Sequence, residues 1–387
     1  MSKGYSKNFW FMCASMFLFM TSFNLILPEL NQFLTNLGGS SQKGLIISLF
    51  TISAGISRPF SGKLSDYIGR KKVMIIGILV CFIVSTLYPL SFSVWFFLTL
   101  RFMHGFSAGF TPTGATALIT DILPENKRGA GMGIWGTFIS LGIGVGQSLG
   151  SFIYQEIGIS SLFMISAGTA ALSSILLFSV TETLHNPIKF NFSLLKVSWK
   201  DVFEPSVLPA AVVMFLSAIC SGIIFVLTPD MSEYLGIQNK GFFFGTYVIS
   251  TILIRLFTSS VSDRIGRRKT LLIGMSVLFI SMIMIGLAKE IYTYVAASIV
   301  FGIATGISSP TLFAWTADLS HVDRRGVGSG TMFIALELGI MTGSLSTLLI
   351  YDSTKSTILA GFLLGALMAL VCVFYLFWHL KKRQSLT

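Results

Sequence analysis

Residues 62–72 read GKLSDYIGRKK, and residues 259–269 read SSVSDRIGRRK. With an offset of 197 positions and no gap, Asp66 falls on Asp263, Gly69 on Gly266, Arg70 on Arg267 and Lys72 on Lys269. The same offset continues in both directions along the chain and pairs Arg58 with Arg255, Gly105 with Gly302, Gly109 with Gly306, Asp121 with Asp318, and Arg128 with Arg325. One offset that holds across so much sequence indicates two copies of a single structural unit.

The composition places this repeated unit in a membrane. Hydrophobic residues make up 53% of the 387 and charged residues 11%, with a mean hydropathy of +0.79, whereas an ordinary soluble domain is roughly a quarter charged. So few charges cannot cover the exterior of a water-soluble fold. Soluble enzymes, nucleic-acid-binding domains and disordered proteins are therefore excluded.

Twelve runs are long and apolar enough to cross a bilayer, which takes about 20 mostly apolar residues. They are residues 9–28, 44–60, 73–90, 94–119, 130–154, 159–180, 207–228, 241–260, 271–288, 291–317, 327–350 and 356–380. The sequence thus predicts an all-α integral membrane protein whose twelve transmembrane helices form two pseudo-symmetric six-helix bundles, 1–180 and 207–387. A cytoplasmic linker, 181–206, joins them, and its Phe192, Leu195 and Trp199 predict one face of a short helix on the membrane surface.

The basic residues set the orientation. If both termini are cytoplasmic, 20 of the 27 Lys and Arg residues lie in inner segments and 4 in outer loops, the outer four being Lys43, Lys240, Lys289 and Lys355. Because Lys and Arg are retained on the cytoplasmic side, this asymmetry predicts that both termini are inside. The net charge of +11 then needs no nucleic-acid partner.

The doubled stretch around Asp66 and Asp263 resembles the signature loop of the major facilitator superfamily of transporters, and the resemblance covers the whole chain. Residues 101–109 are similar to the Arg-x-x-x-Gly pattern of its proton-coupled members. Residues 142–151 resemble the glycine ladder of its twelve-helix drug:proton antiporters, with Gln147 in place of the proline and Ser151 in place of the last glycine.

The resemblance implies a cytoplasmic gate. Asp66 and Asp263 would accept hydrogen bonds at the N-termini of the helices near Val327 and Ala130, where the helix dipole favours an anion. Arg70 would pair with Asp121 and Arg267 with Asp318. Glycines at 62, 69 and 266 would permit tight turns. The full set is Gly62, Asp66, Gly69, Arg70, Asp121, Asp263, Gly266, Arg267 and Asp318; the alternative is that its basic members only fix topology.

Polar residues inside membrane helices are costly, so each is a candidate for proton or substrate binding. These candidates are Glu337, Arg101, His104, Asn24, Gln147, Glu29 and Asp230. Glu337, about ten residues into its helix, is either a proton or substrate ligand or a member of a structural ion pair. Glu29 and Asp230 follow prolines near helix ends, where solvation is the alternative.

Glycines four residues apart let helices approach closely, either as static packing or as a sliding surface. Three predicted helices carry such stripes. Helix 94–119 has Gly105 and Gly109, helix 130–154 has Gly142, Gly146 and Gly150, and helix 291–317 has Gly302 and Gly306.

We therefore expect a secondary active transporter, without cofactor, metal or enzymatic activity, that exports a hydrophobic or amphipathic small molecule in exchange for protons. The alternative is a proton-linked importer or facilitator of a polar nutrient, which would need a more polar, charge-paired cavity. A monomer in a bacterial inner membrane is expected, with the bilayer, protons and a small-molecule substrate as its partners.

Overall fold

The structure is a computed structural model that describes residues 5–123, 128–184, 186–198, 202–258, 261–321, 325–352 and 354–384. The side chains of residues 128–130, 256–258, 263, 325–326 and 381–384 are not among those described. Within these ranges all regular structure is helical, as the sequence predicts.

The chain divides into two compact units. Residues 1–38 and 49–201 form the first unit, and residues 39–48 and 202–387 form the second. The division near residue 201 lies inside the predicted linker. Residues 39–48 belong to the second unit although they lie in the first half of the chain.

The described residues of the first half of the chain form six α-helices. They are α1 (Lys7–Ile26), α2 (Leu30–Asn36), α3 (Lys43–Ile68), α4 (Arg70–Leu87), α5 (Val94–Ile122) and α6 (Arg128–Phe178). Helix α6 turns at Gly158, whose φ of +83° is left-handed, a conformation that glycine adopts without steric penalty. This turn separates the two predicted helices that α6 contains.

In the second half, the part of the chain that the structure describes forms seven α-helices. They are α7 (Leu208–Tyr234), α8 (Phe242–Thr258), α9 (Val261–Ile265), α10 (Arg267–Leu287), α11 (Ile291–Leu319), α12 (Arg325–Ile350) and α13 (Lys355–Gln384). Over the described residues, nine helical spans are long and apolar enough to cross a membrane, and one of them, Gly131–Phe178, includes the turn at Gly158. Helices α5 and α8 occupy the positions of the remaining predicted crossings.

The signature stretch is more helical than the sequence suggests. Helix α3 continues to Ile68, eight residues past the predicted end at 60, and only Gly69 separates it from α4. Helix α3 persists because Leu64 and Ile68 are buried against Val73. The turn predicted at Gly62 is therefore wrong: Gly62 is mid-helix, and a Cβ there would meet nothing closer than Thr113 Cγ2 at 4.0 Å.

The surface helix predicted for the linker is also wrong within the described residues. Residues Phe192–Leu195 form a single 3₁₀ turn, and Leu194 packs into the small cluster formed by Leu64, Ile68 and Val73. Burial of Leu194 attaches the segment to the first unit, and residues 196–198 are not helical, so the predicted surface helix does not continue past Leu195. Trp199 lies outside the described residues.

Candidate functional site

Arg101 lies deep in a polar network of the first unit. Ser93 caps the N-terminus of α5, which positions Arg101 about two turns into the helix, where it is only 2% exposed. Its guanidinium lies 4.7 Å over the ring of Phe50, and Nη1 donates to the hydroxyl of Tyr88 at 3.3 Å. The Arg101 side chain is therefore buried in the protein and does not face lipid.

His104 continues this network on the same face of α5. Its Nδ1 shares a hydrogen bond with the Tyr88 hydroxyl at 3.0 Å, and its Nε2 lies 3.2 Å from Cys81 Sγ. The Cys81 thiol in turn lies 3.3 Å from Ser22 Oγ. The arrangement is a buried chain of proton-carrying groups that begins at a permanent cation.

The corresponding positions of the second unit, all of them described, carry no counterpart of this network. An offset of 197 takes Arg101 to Ser298, His104 to Phe301, Tyr88 to Ile285 and Cys81 to Leu278. Phe50 maps to Tyr247, whose ring instead packs against Phe301 at 5.3 Å. The shared fold is therefore built at this location with mostly apolar residues, so the polar set in the first unit is not a requirement of the fold.

Two polar pairs join α6 to the end of the first transmembrane segment. Gln147 Nε2 donates to Asn24 Oδ1 at 2.9 Å, and Ser151 Oγ donates to Glu29 Oε1 at 2.5 Å. Glu29 is 1% exposed, so it is not solvated. Gln147 and Ser151 are the two departures from the antiporter ladder. They lie four residues apart on α6, and each forms a hydrogen bond with a polar side chain, Gln147 with Asn24 and Ser151 with Glu29.

Glycines make the close helix contacts of the first unit. Between α6 and α1, Gly142, Gly146 and Gly150 lie against the backbone carbonyls of Phe17, Thr21 and Leu25. Between α5 and α3, Gly105 and Gly109 lie against the carbonyls of Phe50 and Ala54 and the hydroxyls of Ser53 and Ser57. A side chain at these positions would overlap backbone atoms.

The second unit repeats this packing. Gly302 contacts Tyr247 and Ser250, and Gly306 contacts Thr251 and Ile254, each 197 positions beyond the partner in the first unit. Gly339 and Gly343 of α12 likewise contact the carbonyls of Phe215 and Ile219 in α7. The sequence reasoning missed these last two glycines, although the same offset takes Gly142 to Gly339 and Gly146 to Gly343.

Two carboxylates of the second unit occupy different settings. Glu337 lies about midway along the 26-residue helix α12 and is 8% exposed. Asp230, at the end of α7, accepts from the Lys43 ammonium and the Tyr351 hydroxyl, both within the second unit. Asp230 is therefore held in a partly buried ion pair with Lys43, in contrast to the solvated alternative.

The first signature stretch is built around the N-terminus of α4. Gly69 has φ +123°, and a Cβ on it would lie 2.5 Å from Glu182 Oε2. The Glu182 carboxylate accepts from the backbone N–H groups of Arg70 at 3.2 Å and Lys71 at 3.0 Å. An anion at a helix N-terminus satisfies free N–H groups and complements the helix dipole. The sequence reasoning missed Glu182 because it lies 113 positions beyond Gly69.

Arg70 ties three elements together. Its Nε donates to Asp121 Oδ2 at 3.1 Å, the pairing that the resemblance implied, and Nη1 donates to the Ser65 carbonyl at 3.1 Å. Thr183 Oγ1 donates to the same Asp121 oxygen at 2.7 Å. Asp66 Oδ1 lies 3.5 Å from Arg70 Nη2. The predicted contact of Asp66 with the helix N-terminus near Val327 stays a prediction.

The second signature stretch repeats the positive-φ glycine and the arginine–aspartate contact. Gly266 has φ +92°, Arg267 Nε donates to Asp318 Oδ2 at 3.0 Å, and Nη1 donates to Ser262 Oγ at 2.6 Å. The side chains of Asp263 and Ala130, named for the predicted gate, lie outside the described residues. Among the described residues, no three His, Cys, Asp or Glu side chains are grouped so that they could hold a metal ion.

Comparisons with known proteins agree with this architecture. The Major Facilitator Superfamily model matches residues 12–238 and again 210–386. The multi-drug resistance efflux pump PmrA homolog of Lactococcus lactis is 23% identical over 397 residues, which cover 98% of this chain and 96% of the relative. The quinolone resistance protein NorA of Staphylococcus aureus is 27% identical over 223 residues, about half of each chain.

A solved structure supports the fold independently. The crystal structure of the human organic anion transporter MFSD10 (TETRAN) superposes with a TM-score of 0.73 at 20% sequence identity, covering 95% of this chain and 98% of that one. With the repeated signature stretches, the glycine seams and the matched family model, the chain belongs to the Major Facilitator Superfamily and is a multi-pass integral membrane transporter, not an enzyme.

Proposed function

We propose that this transporter exports hydrophobic or amphipathic small molecules in exchange for protons, by alternating access, from a bacterial inner membrane in which both termini are cytoplasmic. The relative that spans nearly the whole chain is named as a multidrug efflux pump, and NorA is named for quinolone resistance. The glycine ladder of residues 142–150 favours the same branch.

The observation that carries proton coupling is the burial of Glu337. A charged carboxylate inside a membrane helix costs several kcal/mol, on the order of 3 on insertion scales. Taking up a proton, or contacting a cationic substrate, removes that cost. Competition between these two partners for one carboxylate would couple substrate release to proton entry, because only one of them neutralises it at a time.

The network at Arg101 supplies a permanent positive charge in the first unit. A guanidinium presents directional donors and does not lose its proton in proteins. Linked through Tyr88 to His104, it can orient an acceptor atom of a substrate or hold a proton-carrying chain in register.

Arg70–Asp121 and Arg267–Asp318 would act on the cytoplasmic side. Each pair bridges a signature stretch to the end of the fourth crossing of its half. Such exposed ion pairs contribute about 0–1 kcal/mol each. They therefore suit contacts that break and re-form as the protein opens and closes.

The test is transport by the full chain reconstituted in proteoliposomes, with an imposed pH gradient and an amphipathic fluorescent dye or a quinolone as substrate. Glu337→Gln should still bind substrate and exchange it across the membrane without a gradient, but should lose gradient-driven accumulation. Glu156→Gln is the matched control, because Glu156 is an exposed carboxylate on α6.

Gradient-driven transport by Glu337→Gln at the wild-type rate would remove Glu337 from coupling. The direction of transport in vesicles of known orientation distinguishes export from the importer alternative. Export predicts that substrate moves away from the side that carries the termini, against the direction of proton flow.

A further inference from the structure

Residues 186–198, called here the strap, follow the end of α6 in the first unit. Lys71 Nζ donates to the carbonyls of Phe178 and Val180 at 2.8 Å, which closes the C-terminus of α6. Further on, Ile188 N–H donates to the Tyr67 carbonyl at 2.8 Å, near the end of α3. The strap is therefore attached where two membrane-spanning helices end, which is the level of the membrane–water interface.

One side of the strap faces the protein. Leu194 is 7% exposed and packs with Leu64, Ile68 and Val73. Lys63 Nζ also donates to the Lys196 carbonyl. These contacts fix which side of the strap faces the protein, so the other side faces away from it.

The opposite side is aromatic and apolar. Phe190 is 50% exposed and Phe192 78% exposed, and their rings lie 5.5 Å apart in an edge-to-face arrangement. Ile188 is exposed beside them. Because they lie off the membrane helices, the lipid tails that cover those helices do not account for this exposure.

The charges around these rings have one sign. Lys189 lies between Ile188 and Phe190, Lys196 lies four residues beyond Phe192, and residues 186–198 contain no Asp or Glu. Exposed apolar rings flanked by Lys at the interface are typical of segments that insert partway into a leaflet and attract anionic headgroups.

We propose that the strap is a membrane-surface anchor, in which Phe190 and Phe192 insert between lipid headgroups while Lys189 and Lys196 bind anionic lipid of the same leaflet. Its attachment to α3 and α6 then connects leaflet charge to the signature stretch of the first unit. The strap shares its unit with Gly69 and Glu182, so lipid binding would stabilise the capped N-terminus of α4.

The experiment uses the full chain in nanodiscs of phosphatidylcholine, with or without about a quarter phosphatidylglycerol. A nitroxide on Phe192→Cys reports access to oxygen, which concentrates in lipid, and to a water-soluble nickel complex. The four native cysteines are buried, so the label reports position 192. Leu79→Cys, on the exposed face of α4, and Lys289→Cys, in an exposed loop, supply the lipid and water references.

The label at 192 should show an oxygen-to-nickel ratio close to the Leu79→Cys reference in discs with anionic lipid, and a ratio lower by about twofold without it. Adding Lys189→Gln and Lys196→Gln should abolish the difference between the two lipids. Because both lysines are exposed, and Lys63 contacts only the backbone of Lys196, these variants should fold.

A ratio equal to the Lys289→Cys reference in both discs would overturn the anchor. So would protection from both reagents in native membranes combined with water-like access in nanodiscs, because that result would assign the exposed rings to a protein partner. An unchanged ratio after removal of both lysines would overturn the anionic-lipid part.

Discussion

Gln147 Nε2 and Asn24 Oδ1 form a buried hydrogen bond of 2.9 Å between α6 and α1. Gly146, the neighbour of Gln147, lies against the Thr21 carbonyl and Asn24 Cβ in the same seam. The residue that departs from the antiporter ladder therefore makes a specific contact within the glycine seam between the two helices.

This contact predicts energetic coupling. Asn24→Ala and Gln147→Ala should each lower the apparent thermal stability, because each leaves a buried amide without its partner. The double variant should lose less than the sum, with a coupling energy of about 0.6–1.7 kcal/mol, the range for hydrogen bonds between membrane helices. Thermal unfolding of the four proteins in detergent measures it. Strictly additive losses would show that the pair contributes no net stabilisation.

The glycine seams predict opposite effects for the same substitution at two places. Gly109→Ala would place a Cβ 2.7 Å from the Ala54 carbonyl and in overlap with Ser57, and overpacking of this kind costs about 1–3 kcal/mol. Gly136→Ala on α6 meets nothing within 4 Å and should stabilise by about 0.5–1 kcal/mol, since alanine loses less backbone entropy.

Thermal stability of both variants distinguishes a close contact from a general glycine effect. Gly302→Ala should behave like Gly109→Ala, because it meets Tyr247 and Ser250 in the second unit. Equal stability of all three variants would contradict the packing argument.

Arg101 predicts a test of geometry against charge. Arg101→Lys keeps the positive charge but loses the planar set of donors, including the bond to Tyr88. We expect Arg101→Lys to lose transport as fully as Arg101→Ala while both proteins reach the membrane. Retained transport in the Lys variant alone would assign Arg101 a purely electrostatic role.

Tyr88 has a matched control in the other unit. Tyr88 and Tyr294 are both fully buried, and each hydroxyl makes hydrogen bonds, Tyr294 with Ser232 and the Thr228 carbonyl. Tyr88→Phe and Tyr294→Phe should therefore lose similar stability, about 0.5–1.5 kcal/mol. Only Tyr88→Phe should reduce the transport rate, because only Tyr88 joins Arg101 to His104. Equal transport by the two variants would leave the network a structural role.

Glu182 predicts a local effect at the first signature stretch. Glu182→Gln removes the anion that accepts from the N–H groups of Arg70 and Lys71, and an anion in this position contributes about 0.3–2 kcal/mol. Hydrogen exchange of the first turn of α4 should become faster than in the wild type. The exposed Glu156→Gln serves as the control, and unchanged exchange in Glu182→Gln would mean that the cap contributes nothing.

Much of the architecture could be predicted because it depends on local spacing. The length of apolar runs determines which segments can cross a membrane. The 197-residue offset preserves the spacing between α3 and α5, so the second unit's contacts at Gly302 and Gly306 followed from those at Gly105 and Gly109. The pairing of Arg70 with Asp121 was implied by family resemblance, and the contact is present.

The tertiary structure alone decided which polar groups meet. Periodicity identifies the face on which Gln147, Ser151 or Arg101 lies, but the partner depends on how closely another helix approaches and which rotamer reaches it. Asn24 and Gln147 are 123 positions apart, and Gly69 and Glu182 are similarly distant. The sequence by itself determined a doubled, helical membrane protein, because apolar length and spacing are properties of each segment, and its resemblance to a transporter family implied transport. The buried Arg101–Tyr88–His104 chain and the Glu182 cap required helix packing, because a hydrogen bond is satisfied only within about 3 Å.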